Sequence, residues 1–340
     1  MADRLELVGA PGSPYTRKML SLLRYRHIAH NVIWGGAMGA PEGYPKPKVQ
    51  LLPTFFFPDS NGNIEAVVDS TPIIRRLEEE HAGRSVIPED EALRFIDLLI
   101  EDYADEWLTK AMFHFRWAFE KDAGHVAPLL IHWANPNLPD DQVAAMAAQF
   151  SKRQIDRLYV VGSNKITAKT IEESYVRLLG LLDRLIQQQG FILGSRPSSC
   201  DFALHGQLTQ LTQIEPTSMA LTNRHAQRVR GWIDRMEDLS GHKGGDWLTD
   251  DQYGSLKGLL SEIGRTYAPF LVANAAAVGS GVKDFEAEID GRLWQQPVFA
   301  YQAKCLVALR DAYQNLSAEA QSRIDGLLRG TGCEILFAKA

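Results

Sequence analysis

The chain of 340 residues carries 36 basic against 42 acidic side chains, for a net charge of −6, and 45% of its residues are apolar. This is ordinary usage for a folded chain and excludes disordered, collagenous and coiled-coil classes, while the acidic excess argues against a nucleic-acid surface. The length suits two domains, or two plus an extension, and no apolar run approaches the length of a membrane span.

Leu5-Glu6-Leu7-Val8-Gly9 alternates and runs into the turn Ala10-Pro11-Gly12, predicting a first strand. Ser13-Pro14 then opens a helix reaching about Arg26, because serine is a good cap and proline is tolerated at the first helical position. Asn31–Trp34 predicts a second strand, followed by a glycine- and proline-rich loop from Gly35 to Pro47. Leu51–Phe57 predicts a third strand entered through Pro53, and Asp59–Asn63 a hairpin turn that returns the chain along Ile64–Val68. Asp69-Ser70 caps a helix over Thr71 to about His81. A β-α-β-loop-β-β-α order within residues 1–82 predicts a small mixed sheet with helices on its faces. Those residues hold nine basic and nine acidic side chains, so the whole net charge falls on residues 83–340.

From Glu89 onward the pattern is helical almost throughout, with strong segments at 89–120, 140–160, 170–189, 198–212, 223–239, 249–278 and 298–329. Thr170–Glu173 and Ser198–Asp201 both have capping-box spacing. Tyr103, Trp107, Lys110, His114 and Trp117 share one helical stripe, offset from Leu108, Met112, Phe115 and Phe119. Cys200, Cys305 and Cys333 are widely separated and form no CxxC pair, which predicts idle thiols in a reducing compartment, the cytoplasm. The charged start, Met1 to Arg4, does not have the pattern of a signal peptide. The histidines show no metal-ligand spacing, so no metal is expected.

Four marks resemble the cytosolic glutathione transferase family: Ser13-Pro14-Tyr15-Thr16 after the first strand, Leu52-Pro53-Thr54 before the third, Asp69-Ser70 opening the next helix, and the run Phe191 to Phe202. The resemblance covers about residues 1–240. It implies an α/β thioredoxin-like N-terminal domain over 1–82 and an all-α helical bundle over 89–240, leaving 241–340 as a helical C-terminal extension longer than the family requires.

The resemblance also implies glutathione as co-substrate, a small-molecule electrophile as the second substrate, a homodimer, and no nucleic-acid or membrane partner. Pro53 corresponds to the family's cis-proline, with Leu52 offering its backbone to the cysteinyl unit in the manner of an added strand. Asp69 would receive the γ-glutamyl ammonium, and Ser70, at a helix N-terminus, the neighbouring carboxylate. Ser13 matches the position whose hydroxyl stabilises the glutathione thiolate, with Tyr15 and Thr16 as rival hydroxyls. Tyr103, Trp107 and His114 lie on the helix that in the family lines the second-substrate pocket and the subunit interface. Hydroxyls at both places of the redox Cys-Pro-x-Cys motif, Ser13 and Thr16, exclude dithiol chemistry. The leading function is a glutathione-dependent transferase. The alternatives are a non-catalytic binding or scaffold protein and a glutathione-dependent lyase or isomerase.

Overall fold

The computed structural model describes residues 4–35 and 42–338, so the N-terminal Met1–Asp3 and much of the glycine-rich loop lie outside the described residues. Strand β1 (Leu5–Gly9) leads into helix α1 (Pro14–Tyr25), then β2 (His30–Trp34), β3 (Thr54–Pro58), β4 (Ile64–Val67) and α2 (Ser70–Glu80). The sheet order is β2-β1-β3-β4. Parallel pairing joins β1 to β2, Leu7 facing Val32, and antiparallel pairing joins Leu7 to Phe55 and Phe55 to Val67. This is the thioredoxin-like arrangement. The β3–β4 turn closes where Asp59 Oδ1 accepts both the Asn61 and Asn63 N–H groups, with Gly62 at φ 82°.

The helical part runs α3 (Glu91–Tyr103), a π-helical turn (Ala104–Leu108), α4 (Thr109–Trp117), α5 (Glu120–Ala134), α6 (Asp140–Ile155), α7 (Ala168–Gln189), α8 (Ser199–Gln213), α9 (Pro216–His225) and α10 (Gln227–Met236). Helix α8 is buried along almost its whole length and packs along α1. Gly206 makes that crossing possible, because a Cβ there would run into the Pro14 carbonyl. The capping box at Ser198 and Asp201 forms as its spacing predicts. The one at Thr170 does not. Asn164 Oδ1 already accepts the N–H groups of Ile166 and Thr167, so α7 begins earlier and Thr170 lies buried inside it. Helix α5 falls in a gap between the predicted segments; Gly124 and Pro128 had masked it.

The last hundred residues form α11 (Lys257–Gly279), β5 (Asp284–Ile289), β6 (Arg292–Pro297), α12 (Ala300–Gln314) and α13 (Ala318–Leu328). The extension is mainly helical, but β5 and β6 make an antiparallel hairpin that the helical expectation did not contain. Its two-residue turn, Asp290-Gly291, has φ of 54° and 68°, the geometry that aspartate-glycine favours. Trp294 and Ile289 point inward and are buried. One contiguous core runs from Leu7 in β1 to Leu336 near the C-terminus. Among the described residues, no helix is long and apolar enough to cross a membrane.

Candidate functional site

Ser13 occupies the N-cap of α1 in extended conformation, its Oγ accepting the Thr16 N–H at 3.2 Å. The same hydroxyl donates to the Leu52 carbonyl at 3.4 Å, a long contact that holds its proton weakly. The two neighbouring hydroxyls are committed elsewhere. Tyr15 Oη donates to the Asp105 carbonyl at 2.8 Å, and burial with nearby Glu106 and Asp105 pushes its phenol well above its usual pKa. Thr16 is buried, accepts the Ala10 N–H at 3.3 Å, and turns its methyl toward Gly9. Of the three, Ser13 is the one with a proton to give at a partly exposed position.

Leu52-Pro53 is the cis peptide that the resemblance implies. Ser13 meets the Leu52 carbonyl from one side. Lys18, farther along α1, donates to Ser70 Oγ at 3.0 Å, which sets the N-terminus of α2 beside α1. Asp69 stands at the N-cap of α2 but makes no capping bond, contrary to the capping role its position suggests. The cause is its backbone: φ of 84° turns the carboxylate away from the helix N–H groups. Its side chain instead accepts a hydrogen bond from Tyr301 Oη at 3.1 Å. Ser13, Leu52, Pro53, Asp69 and Ser70 therefore gather around the starts of α1 and α2.

Beneath them lies a buried ionic cluster that sequence reasoning missed. Lys18 Nζ binds Glu101 at 2.8 Å and Asp105 at 2.6 Å. Glu101 also accepts from Thr71, Arg75 and Ser199. Burial works against the Glu101 charge, but Lys18 and Arg75 outweigh it and hold the carboxyl down to about 2. Burial pushes Asp105 the other way, to about 7, despite Lys18. The π turn at 104–108 interrupts the regular helical ladder here, and it is the Asp105 carbonyl that takes the Tyr15 phenol. One signal existed in the sequence: Lys18 falls on the helical stripe of Tyr15, Leu22 and Tyr25.

The expected second-substrate wall lies elsewhere. Tyr103 and Trp107 are 0% and 1% exposed, covered by Tyr267 and Phe270 of α11 and by Trp294 of β6. His114 is buried between Ser163 Oγ at 2.7 Å and Glu172 at 3.2 Å. Lys110 sits over the Phe270 ring at 4.0 Å, with burial lowering its ammonium to about 7. The stripe expected to face a pocket or a second subunit is thus sealed by the chain itself: Tyr103, Trp107 and Lys110 by its C-terminal hundred residues, His114 by Ser163 and Glu172, and Trp117 by Phe150 of α6. An apolar wall beside Ser13 comes instead from α5: Leu130 and Trp133 press closely on Gly12, where a Cβ would collide with Leu130 and crowd Trp133.

Residues 7–85 match the family model described as "Glutathione S-transferase, N-terminal domain". That match takes in 79 of the 340 residues, less than a quarter of the chain. The glutathione S-transferase match spans β1 through α2, the elements that carry Ser13, Leu52, Pro53, Asp69 and Ser70. No curated protein matches the chain in sequence. Similar solved structures include a glutathione S-transferase from Methylobacterium radiotolerans in complex with glutathione sulfonate, 18% identical, covering 73% of this chain and 97% of its own at a TM-score of 0.40. A glutathione transferase family member from Pseudomonas fluorescens with two glutathione bound is 15% identical, over 68% of this chain and 87% of its own, TM-score 0.43. A Tau class glutathione S-transferase from mango, Mangifera indica, is 17% identical, over 68% and 88%, TM-score 0.41.

Proposed function

We propose that the chain is a glutathione-dependent transferase with glutathione as co-substrate and Ser13 as the group that stabilises its thiolate. The observation that carries this is the Ser13 hydroxyl, which lies on the Leu52 carbonyl within the residues that match the glutathione S-transferase N-terminal domain model. The cysteinyl backbone of glutathione would lie along Leu52 as an added strand. Among the described residues no hydrogen bond occupies the Leu52 N–H. The γ-glutamyl ammonium would meet Asp69, and the adjacent carboxylate Ser70 and the N-terminus of α2.

A free thiol has a pKa of about 8.5 and is mostly protonated at neutral pH. The Ser13 proton, turned from Leu52 to the sulfur, favours the thiolate, and the N-terminus of α1 adds to that preference. The thiol proton leaves to solvent. The sulfur then forms a bond to the electrophilic carbon, and the displaced group departs with its electron pair. The electrophile would approach along the wall of Leu130 and Trp133. Burial of the aromatic stripe leaves any homodimer to a different surface.

Titration calorimetry with glutathione, followed by ultraviolet absorbance of the bound thiolate against pH, tests the assignment. Binding with a lowered thiol pKa is the expected result. Binding without thiolate formation would favour the non-catalytic binding protein, and absence of binding would overturn the glutathione assignment.

A further inference from the structure

Residues 298–302 bring the extension to the start of α2. Two reciprocal hydrogen bonds pin Phe299 from behind: Asn274 Nδ2 donates to its carbonyl at 2.9 Å and Asn274 Oδ1 accepts its N–H at 2.8 Å. Asn274 is wholly buried in α11, so the start of α12 is anchored to a rigid element. Gln302 donates to the Glu106 carboxylate of the π turn at 2.9 Å. Tyr301, between these two anchors, donates at 3.1 Å to Asp69 Oδ2 at the start of α2. Tyr301 as a whole residue is 45% exposed and is not sealed within the fold. No other side-chain hydrogen bond to the Asp69 carboxylate is found among the described residues. The one that exists starts 232 residues away in the chain.

We infer that Tyr301 is a positioning residue of the γ-glutamyl subsite, supplied by the C-terminal extension, which holds one Asp69 oxygen so that the other faces the ligand's ammonium. The inference rests on the glutathione assignment above. A carboxylate at a turn with positive φ and no helix cap has several rotamers of similar energy, and a fixed donor selects one of them. The phenol suits the task because it gives a hydrogen bond without bringing a positive charge that would compete with the ammonium. Burial and the nearby Asp69 raise the phenol pKa, so it remains a donor throughout the neutral range.

The test is Tyr301→Phe, assayed by calorimetry with glutathione and with glutathione acetylated on its γ-glutamyl nitrogen, which lacks the ammonium. Removing one hydrogen bond of this kind should weaken glutathione binding about three- to tenfold. The acetylated ligand should bind parent and variant alike. In an Asp69→Asn background the same substitution should cost nothing further. Equal losses for both ligands would mean a merely structural role and overturn the inference. Unchanged affinity would also overturn it, and tighter binding would identify Tyr301 as a plug. In those cases the glutathione assignment stands. If the parent protein binds no glutathione, both fall together.

Discussion

Ser13→Ala separates two uses of one hydroxyl. The lone pair that accepts the Thr16 N–H caps α1, and losing it should cost about 1 kcal/mol of stability. The hydrogen, held by Leu52 only at 3.4 Å, is the part available to the thiolate. A hydrogen bond to a charged group contributes about 1.5–3 kcal/mol. At about 1.4 kcal/mol per pKa unit, its loss raises the bound thiol's pKa by about one to two. With the free thiol at about 8.5, the thiolate fraction at pH 7, and turnover with any accepted electrophile, should then fall about eight- to twenty-five-fold. Ultraviolet titration of glutathione on the parent, Ser13→Ala and Tyr15→Phe measures this directly. Tyr15→Phe gives up the bond to the Asp105 carbonyl and should lose stability while leaving the thiol pKa in place. The opposite pattern, an unmoved thiol in Ser13→Ala and a raised one in Tyr15→Phe, would refute the assignment and give the chemistry to tyrosine.

Asp69→Asn should weaken glutathione about ten- to hundredfold by calorimetry while leaving the unfolding temperature unmoved, because the carboxylate caps no helix; unchanged affinity would count against the ammonium contact. Lys18→Met leaves Glu101 and Asp105 buried without their cation and should cost about 3–5 kcal/mol in denaturant unfolding. A loss below about 1 kcal/mol would show that Arg75 and the hydroxyls suffice. Burial and Glu106 raise the Asp102 carboxyl from 3.8 to about 8, so between those values the unfolded chain ionises while the folded one keeps its proton. Parent stability should therefore decline as pH rises through that window, and Asp102→Asn should gain on the parent there and no further above it; thermal melts that track one another at pH 5 and pH 8 would refute this.

The first 82 residues were legible because each element is local: alternation in β1, a serine-proline cap on α1, an aspartate-led turn before β4. The site motifs sat at the ends of those elements and came with them. What escaped depends on chain segments meeting from far apart. Nothing near Tyr301 marks it as a partner of Asp69, and nothing in the Tyr103–Trp117 stripe shows whether a ligand, a second subunit or the same chain will cover it. The β5–β6 hairpin was different. Phe285, Ala287 and Ile289 alternate into Asp290-Gly291, a strong hairpin signal that the helical trend on either side obscured. Asp69 shows how a residue preference fails: aspartate is a good cap, but a backbone at positive φ sends the side chain elsewhere.

Trp107 lies under Phe270 and Trp294, residues made more than 160 positions later. During synthesis the middle of the protein therefore waits, with an aromatic face uncovered, for the last third of the chain to emerge. A chain cut near residue 240 would not be a smaller version of the same molecule. It would present Tyr103, Trp107 and the Lys110 ammonium to water, an invitation to aggregation or to chaperone capture. Because the cover is tethered to what it covers, its closing is unimolecular and does not weaken as the protein is diluted.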